Sequence, residues 1–411
     1  MAPKTVTILG ATGMQGGSIA RTLASQPDKY HVRALTRSPS SPKAQALTAL
    51  GITVTYADLN DAESLASAFS DANVIYAMTD FWQSMDATIE ETQGKRIVDI
   101  AAQIPELEHF IWASLPNGKA LSSGKFANIF HWQSKANVMD YVRAWKPELA
   151  RIATEVLFPN YFENCLVSPG RYLPVKQKDG KYVREFPHAP GTLMPNVAID
   201  DTGKLVSYLL DHGSTYQTKT VAFYAQALSE SGKVEALAEA YNVPMPYRQI
   251  TAAEFQNRLL DTMNETTALD FTEQLMIFDE CGMIYRNESF VQANQITPSE
   301  SLSSSPSAPP GASSTGKSVA VPAIHAHHIH IERAGRNGDM QSHGVDERRR
   351  PEALRQRQPC LDSQPGQKVD ATLSSNYNIA LLGLMDHGRT YPYITVAGVR
   401  YMGNVACLTV S

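Results

Sequence analysis

The chain is 411 residues long and 43% of its residues are apolar, which is enough for two domains with a large core. Its formal net charge of −5 lacks the positive field that attracts a phosphate backbone, so direct nucleic-acid binding is not expected. The 4 cysteines form no C-x-x-C pair and no apolar run approaches the ~18 residues of a membrane span, which argues against a disulfide framework, a metal site and membrane contact.

The first part of the chain, residues 1–158, alternates short β-rich apolar runs with longer helical stretches. This alternation is typical of βαβ units and predicts an α/β fold with a doubly wound, parallel Rossmann sheet. The predicted strands are Val6–Leu9, His31–Leu35, Thr53–Tyr56, Val74–Met78, Phe110–Ala113 and Thr154–Phe158. Two predicted helix starts, Asn60 to Glu63 and Thr251 to Glu254, pair a capping side chain with a glutamate three residues later.

Residues 159–295 are predicted to form a smaller α+β lobe that selects the substrate, because prolines interrupt the alternation there. A strand at Thr220–Tyr224, near residues 219–226, is expected to join the first sheet. Predicted helices cover Gly232–Tyr241, Ala252–Leu260 and Leu269–Asp279.

Residues 296–411 are predicted to be a disordered tail, because Ser, Pro, Ala and Gly dominate residues 299–318. The tail is either functional or an artefact of a gene model. His325, His327, His328 and His330 are interpreted as an adventitious metal-binding run, so no metal site is predicted.

A glycine-rich loop follows the first predicted strand directly and precedes a helical segment. Such a loop lets the backbone approach a pyrophosphate, whose charge rests on the N–H groups of the helix N-terminus. We therefore predict a dinucleotide site formed by Gly10, Ala11, Thr12, Gly13, Met14, Gln15 and Gly16.

The second predicted strand ends without the acidic residue that binds the ribose hydroxyls of NAD. Arg37 stands there instead, and its guanidinium suits the 2′-phosphate of NADP(H), although an ordinary surface arginine is the alternative. Asp58, followed by Leu59, is predicted to contact the adenine edge, with helix capping as the alternative for Asp58.

A helix beginning near His131 carries an apolar arc of Trp132, Ala136, Val138, Met139, Val142 and Trp145. Lys135 and His131 lie in the middle of this arc. A lysine on the inward face of a helix needs an anionic or hydroxyl-rich ligand, unless its ammonium extends past the apolar arc to water.

Short-chain dehydrogenases keep a Tyr-x-x-x-Lys pair at such a helix, and a serine on the preceding strand. By this resemblance Lys135 orients the nicotinamide ribose, Ser114 is the serine, and His131 occupies the tyrosine position. The standard proton donor is therefore missing, and a hydrogen-bonded core histidine is the alternative for His131.

Together these residues resemble the NmrA-like family from about Lys4 to Ile284. The resemblance implies that Arg37 and Ser38 form a phosphate-binding turn and that an aromatic segment, Thr79, Asp80, Phe81 and Trp82, packs near the cofactor. It also implies that Tyr161, Phe162, Glu163 and Asn164 form a loop over the nicotinamide end.

The resemblance implies NADP(H) binding, and the function that we expect is an NADP(H)-dependent oxidoreductase acting on a small organic substrate, in fungal secondary metabolism. The alternatives are a non-catalytic NADP(H) sensor that binds a protein partner such as a transcription factor, and an inert scaffold. A cytoplasmic location is expected, and the nucleus is a second expected compartment.

Overall fold

The protein is described by a computed structural model that covers residues 2–167, 172–296, 393–396 and 399–402. Two compact units are distinguished, one containing Met1–Asn164 and Gly170–Ser313 and the other Cys165–Pro169 and Ser314–Ser411. No helix in the described part of the chain combines the length and the apolarity that a bilayer crossing requires.

The described strands alternate with helices up to residue 157 and do so less regularly after it. In chain order they are β1 Lys4–Ile8, β2 Tyr30–Thr36, β3 Thr53–Tyr56, β4 Val74–Ala77, β5 His109–Ser114, β6 Ala153–Leu157, β7 Asn160–Tyr161, β8 Val175–Lys176, β9 Tyr182–Phe186, β10 Leu193–Val197, β11 Thr220–Ala222, β12 Gln226–Ser229, β13 Tyr247–Gln249, β14 Val291–Gln292, β15 Tyr393–Val396 and β16 Val399–Met402.

The described helices are α1 Met14–Ala24, α2 Pro42–Thr48, α3 Ala62–Phe69, α4 Phe81–Ser84, α5 Ala87–Ala101, α6 Gly118–Leu121, α7 Phe130–Trp145, α8 Pro147–Arg151, α9 Asn164–Val167, α10 Ile199–Asp211, α11 Glu230–Tyr241, α12 Ala252–Leu259, α13 Glu265–Cys281 and α14 Ala293–Ile296. Short 3₁₀ turns cover Gly213–Thr215 and Ile284–Arg286.

The central sheet has eight described strands in the order β3-β2-β1-β4-β5-β6-β11-β14. Every pairing among them is parallel. The order reverses at β1, which places β2 and β4 on its two sides and opens a crevice at the carboxyl ends of the strands. The sequence prediction of a doubly wound parallel sheet is confirmed.

Helices cover both faces of the sheet. On one face α1 packs against α10, where a Cβ on Gly203 would lie 2.7 Å from the Ser18 carbonyl oxygen, so the two helices touch backbone to backbone. On the other face α3, α5 and α7 enclose a second core that includes Leu65, Ile97 and Val138. The core residues between the sheet and the helices are buried on both faces, and this packing fixes the positions of the loops at the sheet's carboxyl edge.

The residues predicted to form the smaller lobe contain two small sheets, β12-β10-β7 and β13-β9-β8. Aromatic side chains of α12 and α13 lie in a third core, which Trp132 of α7 and residues of β6 and β11 join. A buried ion pair lies beside this core, where Arg184 Nη2 is 2.9 Å and Lys233 Nζ 2.7 Å from the carboxylate of Glu230. Burial raises the pKa of Glu230, but the charges of Lys233 and Arg184 outweigh it and hold the pKa at about 2.

The structure corrects several details of the sequence predictions. The helix cap expected at Asn60 is formed by Asp61, whose side chain accepts from two backbone N–H groups. The helix predicted from Leu269 begins at Glu265, because Asn264 caps it. Trp145 is 72% exposed, so placing it in the buried arc was wrong: α7 ends there, before Lys146 and Pro147. The capping interaction predicted between Thr251 and Glu254 is present in both directions.

The strand predicted at Thr220–Tyr224 is β11, which is shorter and pairs with β6. The domain boundary near residue 158 stays a prediction. Within the predicted tail, β15 and β16 pair antiparallel. The serine-rich stretch, the histidine run and the remainder of the tail lie outside the described residues.

Candidate functional site

The glycine-rich loop joins β1 to α1 at the crevice. Gly10 has a φ of +66°, and its carbonyl accepts a hydrogen bond of 2.9 Å from the Gly13 N–H. Gly13 is the N-cap of α1 and offers no side-chain cap. In the described part of the chain, no acceptor meets the N–H groups of residues 14–16, so this helix end can bind an anion.

Helix α1 approaches the glycine-rich loop so closely that position 16 has no room for a side chain. A Cβ on Gly16 would lie 2.5 Å from the Gly10 carbonyl oxygen and 2.8 Å from that of Leu9. These contacts are to backbone atoms, which cannot rotate away. The residues from Gly10 to Gly16 therefore fit the phosphate-binding loop that the sequence predicts, and a residue larger than glycine at position 16 would not fit it.

The remaining loop residues line the same turn. Ala11 is buried, Thr12 is half-buried and Met14 is exposed. The Gln15 side-chain amide donates to the hydroxyl of Tyr76, a fully buried residue on β4, which ties the start of α1 to the neighbouring strand.

Arg37 follows β2 directly and is exposed at the edge of the crevice. Its guanidinium faces the side-chain amide of Gln83 on α4, with Nη2 2.7 Å from the amide oxygen once the amide is oriented to accept. The N–H of Ser38 donates to Thr36 Oγ1 at 3.1 Å, which shapes the turn. Sequence reasoning did not identify Gln83, because its contact with Arg37 is made between distant segments.

Asp58 and Leu59 follow β3. The Asp58 carboxylate accepts from the Asn60 N–H at 2.8 Å, and the Leu59 carbonyl accepts from Arg96 at 2.6 Å. Because Asp61 is the residue that caps α3, the alternative that Asp58 caps this helix is wrong. Its predicted adenine contact stays a prediction.

The segment that follows β4, residues 79–82, lies at the candidate site. Thr79 is buried, Asp80 caps α4 by accepting from the Trp82 N–H at 3.1 Å, and Phe81 is 2% exposed. The Phe81 ring lies 5.8 Å from the ring of His131. This segment therefore contacts the helix that carries the predicted catalytic residues.

Lys135 on α7 is bound by a carboxylate that the sequence analysis missed. Its ammonium pairs with Glu90 Oε1 and lies 3.5 Å from Thr79 Oγ1, and its side chain is 13% exposed. The Glu90 carboxylate, 1% exposed, also accepts from Thr79 Oγ1 at 2.8 Å and from the Ser134 hydroxyl. The partner that a buried lysine requires is thus supplied by the protein itself, and the alternative of an ammonium extending to water is not what the structure shows.

Close packing of α5 on α7 places Glu90 at this position. A Cβ on Gly94, one turn further along α5, would lie 2.4 Å from Val138 Cγ2, so only glycine permits this separation of the helices. Glu90 could have been noticed in the sequence, because with Gln93, Gly94 and Ile97 it forms the buried stripe of α5.

His131 is paired with a second buried acid that sequence reasoning missed. Its Nδ1 lies 2.5 Å from Asp270 Oδ1 on α13, and its backbone N–H donates to Asp270 Oδ2 at 3.0 Å. The rings of Trp82 and Phe271 stack 4.9 Å apart beside it. Asp270 is fully buried, so this pair joins the start of α7 to the smaller lobe.

Ser114 is the last residue of β5 and is 4% exposed. Its hydroxyl donates to the Leu115 carbonyl at 3.3 Å. Among the described residues, no hydrogen bond joins Ser114 to Lys135 or His131. The structure therefore brings Lys135, Thr79 and Glu90 together but leaves Ser114 outside their network.

The segment from Tyr161 to Asn164 lies beside the start of α10. The Phe162 N–H donates to Val197 at 3.0 Å, and Asn164 donates to Asn160 at 2.9 Å. Burial raises the pKa of Tyr161 well above its usual value.

Glu163 accepts the Ile199 N–H at 3.1 Å with each oxygen, so it caps a helix whose own N-cap, Ala198, offers no side chain. Burial raises the pKa of Glu163 to about 7, against the lowering by the backbone N–H groups of Glu163 and Ile199. Its carboxylate is therefore engaged with α10, and its predicted cofactor contact stays a prediction.

No group of three or more His, Cys, Asp or Glu side chains in the described ranges is arranged to hold a metal ion. Among the described cysteines, Cys165 is buried and Cys281 is an exposed free thiol.

Comparisons with known protein families and with individual proteins agree on one family. The model of the NmrA-like family matches residues 2–305. An NmrA-like family domain-containing protein of Dictyostelium discoideum is 27% identical over 285 residues, which cover 68% of this chain and 88% of that protein. An NmrA-like family domain-containing oxidoreductase of Penicillium ochrochloron is 28% identical over 251 residues, which cover 58% of this chain and 72% of that protein.

The solved structure of NmrA, a negative transcriptional regulator in complex with NADP, superposes with a TM-score of 0.55 at 22% identity. The superposition covers 68% of this chain and 82% of that one, and at this identity it shows the fold alone. The match of the family model over most of the chain shows membership directly: this chain belongs to the NmrA-like family.

Proposed function

We propose that this chain binds NADP(H) and is an oxidoreductase that acts on a small organic substrate. The observation that carries the proposal is the loop from Gly10 to Gly16, which ends in an uncapped helix N-terminus at the carboxyl edge of a parallel sheet. Pyrophosphate binding requires this combination of close backbone approach and free N–H groups. The NADP complex of NmrA, a protein with the same fold, supports the assignment.

The preference for NADP(H) over NAD(H) rests on Arg37. No acidic residue occurs between Ala34 and Ser38, and the exposed Arg37 guanidinium is placed at the end of β2 by the amide of Gln83. A guanidinium binds a phosphate through paired, charge-assisted hydrogen bonds, whereas a ribose hydroxyl gains little from it.

The reaction would depend on Lys135, Ser114 and His131. A bound nicotinamide supplies or accepts a hydride. Lys135 would orient the nicotinamide ribose through its ammonium and would donate the proton that the oxygen of a carbonyl substrate takes up, directly or through water. Ser114 would polarise that oxygen. His131 stands where a tyrosine would donate the proton. Relatives of this chain in several fungi are named oxidoreductases, which supports turnover. A role in fungal secondary metabolism stays a prediction.

A specific observation favours a second function, an NADP(H) sensor that binds a protein partner. Both groups at the usual catalytic positions are already paired inside the protein, Lys135 with Glu90 and His131 with Asp270. Such pairing holds the side chains without any need for catalysis. NmrA itself is described as a negative transcriptional regulator.

A turnover screen separates the two functions. The full chain is incubated with NADPH and a panel of quinones, aldehydes, imines and activated alkenes, and oxidation of NADPH is followed by absorbance. Sustained oxidation that is lost in Lys135→Ala supports the oxidoreductase. Tight NADPH binding without turnover over the whole panel contradicts it and leaves the sensor.

A further inference from the structure

Glu90 is a buried carboxylate with no role in the function proposed above. It lies on α5, it is 1% exposed, and its three partners are Lys135, Thr79 and Ser134. We propose that Glu90 is a positioning residue that holds the Lys135 ammonium in place for the nicotinamide ribose. This inference rests on the proposed function, because it presupposes a dinucleotide next to Lys135.

The carboxylate is itself held rigidly. The Thr79 hydroxyl donates to Oε1 at 2.8 Å and the Ser134 hydroxyl donates to Oε2, so both oxygens are fixed before the lysine is considered. Lys135 has four rotatable side-chain bonds, and restricting them costs conformational entropy. Because the fixed carboxylate already orders Lys135 in the folded protein, this entropy is not lost when the ligand binds.

The neighbouring residue on α5 shows that this contact is particular to Glu90. Glu91 pairs with Lys95 four residues along the same helix, and its side chain is 27% exposed. It also accepts from Asn137 at 2.8 Å, so it contacts α7 as Glu90 does but without reaching Lys135. Glu91 therefore provides a matched control on the same helix.

The position of Lys135 predicts which ligands are affected. An ammonium that orients the nicotinamide ribose acts only on ligands that contain this ribose. Loss of the Glu90 charge alone would instead increase the general attraction for phosphates and would strengthen all anionic ligands. The two effects have opposite signs, so a selective weakening is the signature of positioning.

The test compares NADP⁺ with 2′,5′-ADP, which carries the 2′-phosphate but lacks the nicotinamide riboside. The full chain and the variants Glu90→Gln, Lys135→Met and Glu91→Gln are titrated with both ligands by calorimetry. Glu90→Gln is expected to weaken NADP⁺ by roughly tenfold, as for the loss of one hydrogen bond to a charged group, and to leave 2′,5′-ADP within about twofold. Glu91→Gln is expected to bind both ligands as the unaltered chain does.

A double variant distinguishes positioning from a structural role. Once Lys135 is methionine there is no ammonium to position, so adding Glu90→Gln should not weaken NADP⁺ further. An additional loss in the double variant, or an unchanged ratio of the two affinities in Glu90→Gln, overturns the inference. If Glu90→Gln does not fold, Ser134→Ala decides instead. It frees one carboxylate oxygen and should weaken NADP⁺ selectively, and an unchanged ratio of affinities in it likewise overturns the inference.

The outcomes for the two proposals are distinct. If the unaltered chain binds neither NADP⁺ nor 2′,5′-ADP, the proposed function fails and Glu90 has nothing to position. If the unaltered chain binds both and Glu90→Gln keeps the same ratio of affinities, only the role of Glu90 fails.

Discussion

Gly16 provides the strictest structural test of the glycine loop. An alanine Cβ at this position would lie 2.5 Å from Gly10 O and 2.6 Å from Gly10 C, where ordinary contact begins at 3.4 Å. These are backbone atoms of a residue with a φ of +66°, so relief requires α1 and the loop to move apart by several tenths of an ångström. The N–H groups at the start of α1, which we propose bind the phosphate, move with them.

The magnitude follows from two opposing effects. Overpacking costs about 1 to 3 kcal/mol, whereas alanine is intrinsically favoured over glycine in a helix by about 1 kcal/mol. We therefore expect Gly16→Ala to lower the free energy of unfolding by up to about 2 kcal/mol and to weaken NADPH binding at least about tenfold.

The assay is urea unfolding followed by circular dichroism, together with NADPH titration by fluorescence. Gly191→Ala is the matched control, because nothing lies within 4 Å of its added Cβ, and its stability should stay within about 0.5 kcal/mol. A Gly16→Ala protein with the stability and NADPH affinity of the unaltered chain would refute the proposed close packing.

Three further predictions concern acidic side chains that are buried or half-buried. The pKa of Glu230 is about 2, against a usual value of 4.5. Its ionised form therefore stabilises the fold by about 3 kcal/mol above pH 4.5, and this contribution is lost as the pH falls towards 2. Glu230→Gln should make the free energy of unfolding less dependent on pH over that range. Glu163 has a raised pKa of about 7, so stability should decline as the pH rises from 4.5 to 7, and Glu163→Gln should remove this decline in thermal unfolding. Asp270→Asn should lower the unfolding free energy by about 2 to 4 kcal/mol, because it replaces the buried charge that holds His131, while Glu265→Gln, at an exposed acid on the same helix, serves as the control. Equal stabilities of the two variants would contradict the importance of the His131 pair.

The elements that sequence predicts well are those that local pattern determines. The first six strands of the chain were predicted to within two residues at each end, because apolar runs of strand length alternate with helical stretches. The loop from Gly10 to Gly16 was found because glycines between a strand and a helix have few other uses.

The elements that were missed depend on contacts between distant segments. Glu90 is 45 residues from Lys135 and Asp270 is 139 from His131, so no local pattern connects them. A buried acid within an apolar stripe was the available signal, but it does not identify its partner. Trp145 was misplaced for a different reason, because helical periodicity gives the face of a helix and not the residue at which the helix ends.

The central claim is that the chain binds a dinucleotide with a 2′-phosphate and that the Arg37 guanidinium contacts this phosphate. Calorimetric titration of the unaltered chain, Arg37→Ala and the surface control Arg151→Ala with NADPH and NADH tests it most directly. We expect Arg37→Ala to lose about 1.5 to 3 kcal/mol of NADPH binding while NADH binding and the Arg151→Ala protein remain unaffected. Equal losses for both coenzymes, or no binding of either at millimolar concentration, would contradict the account.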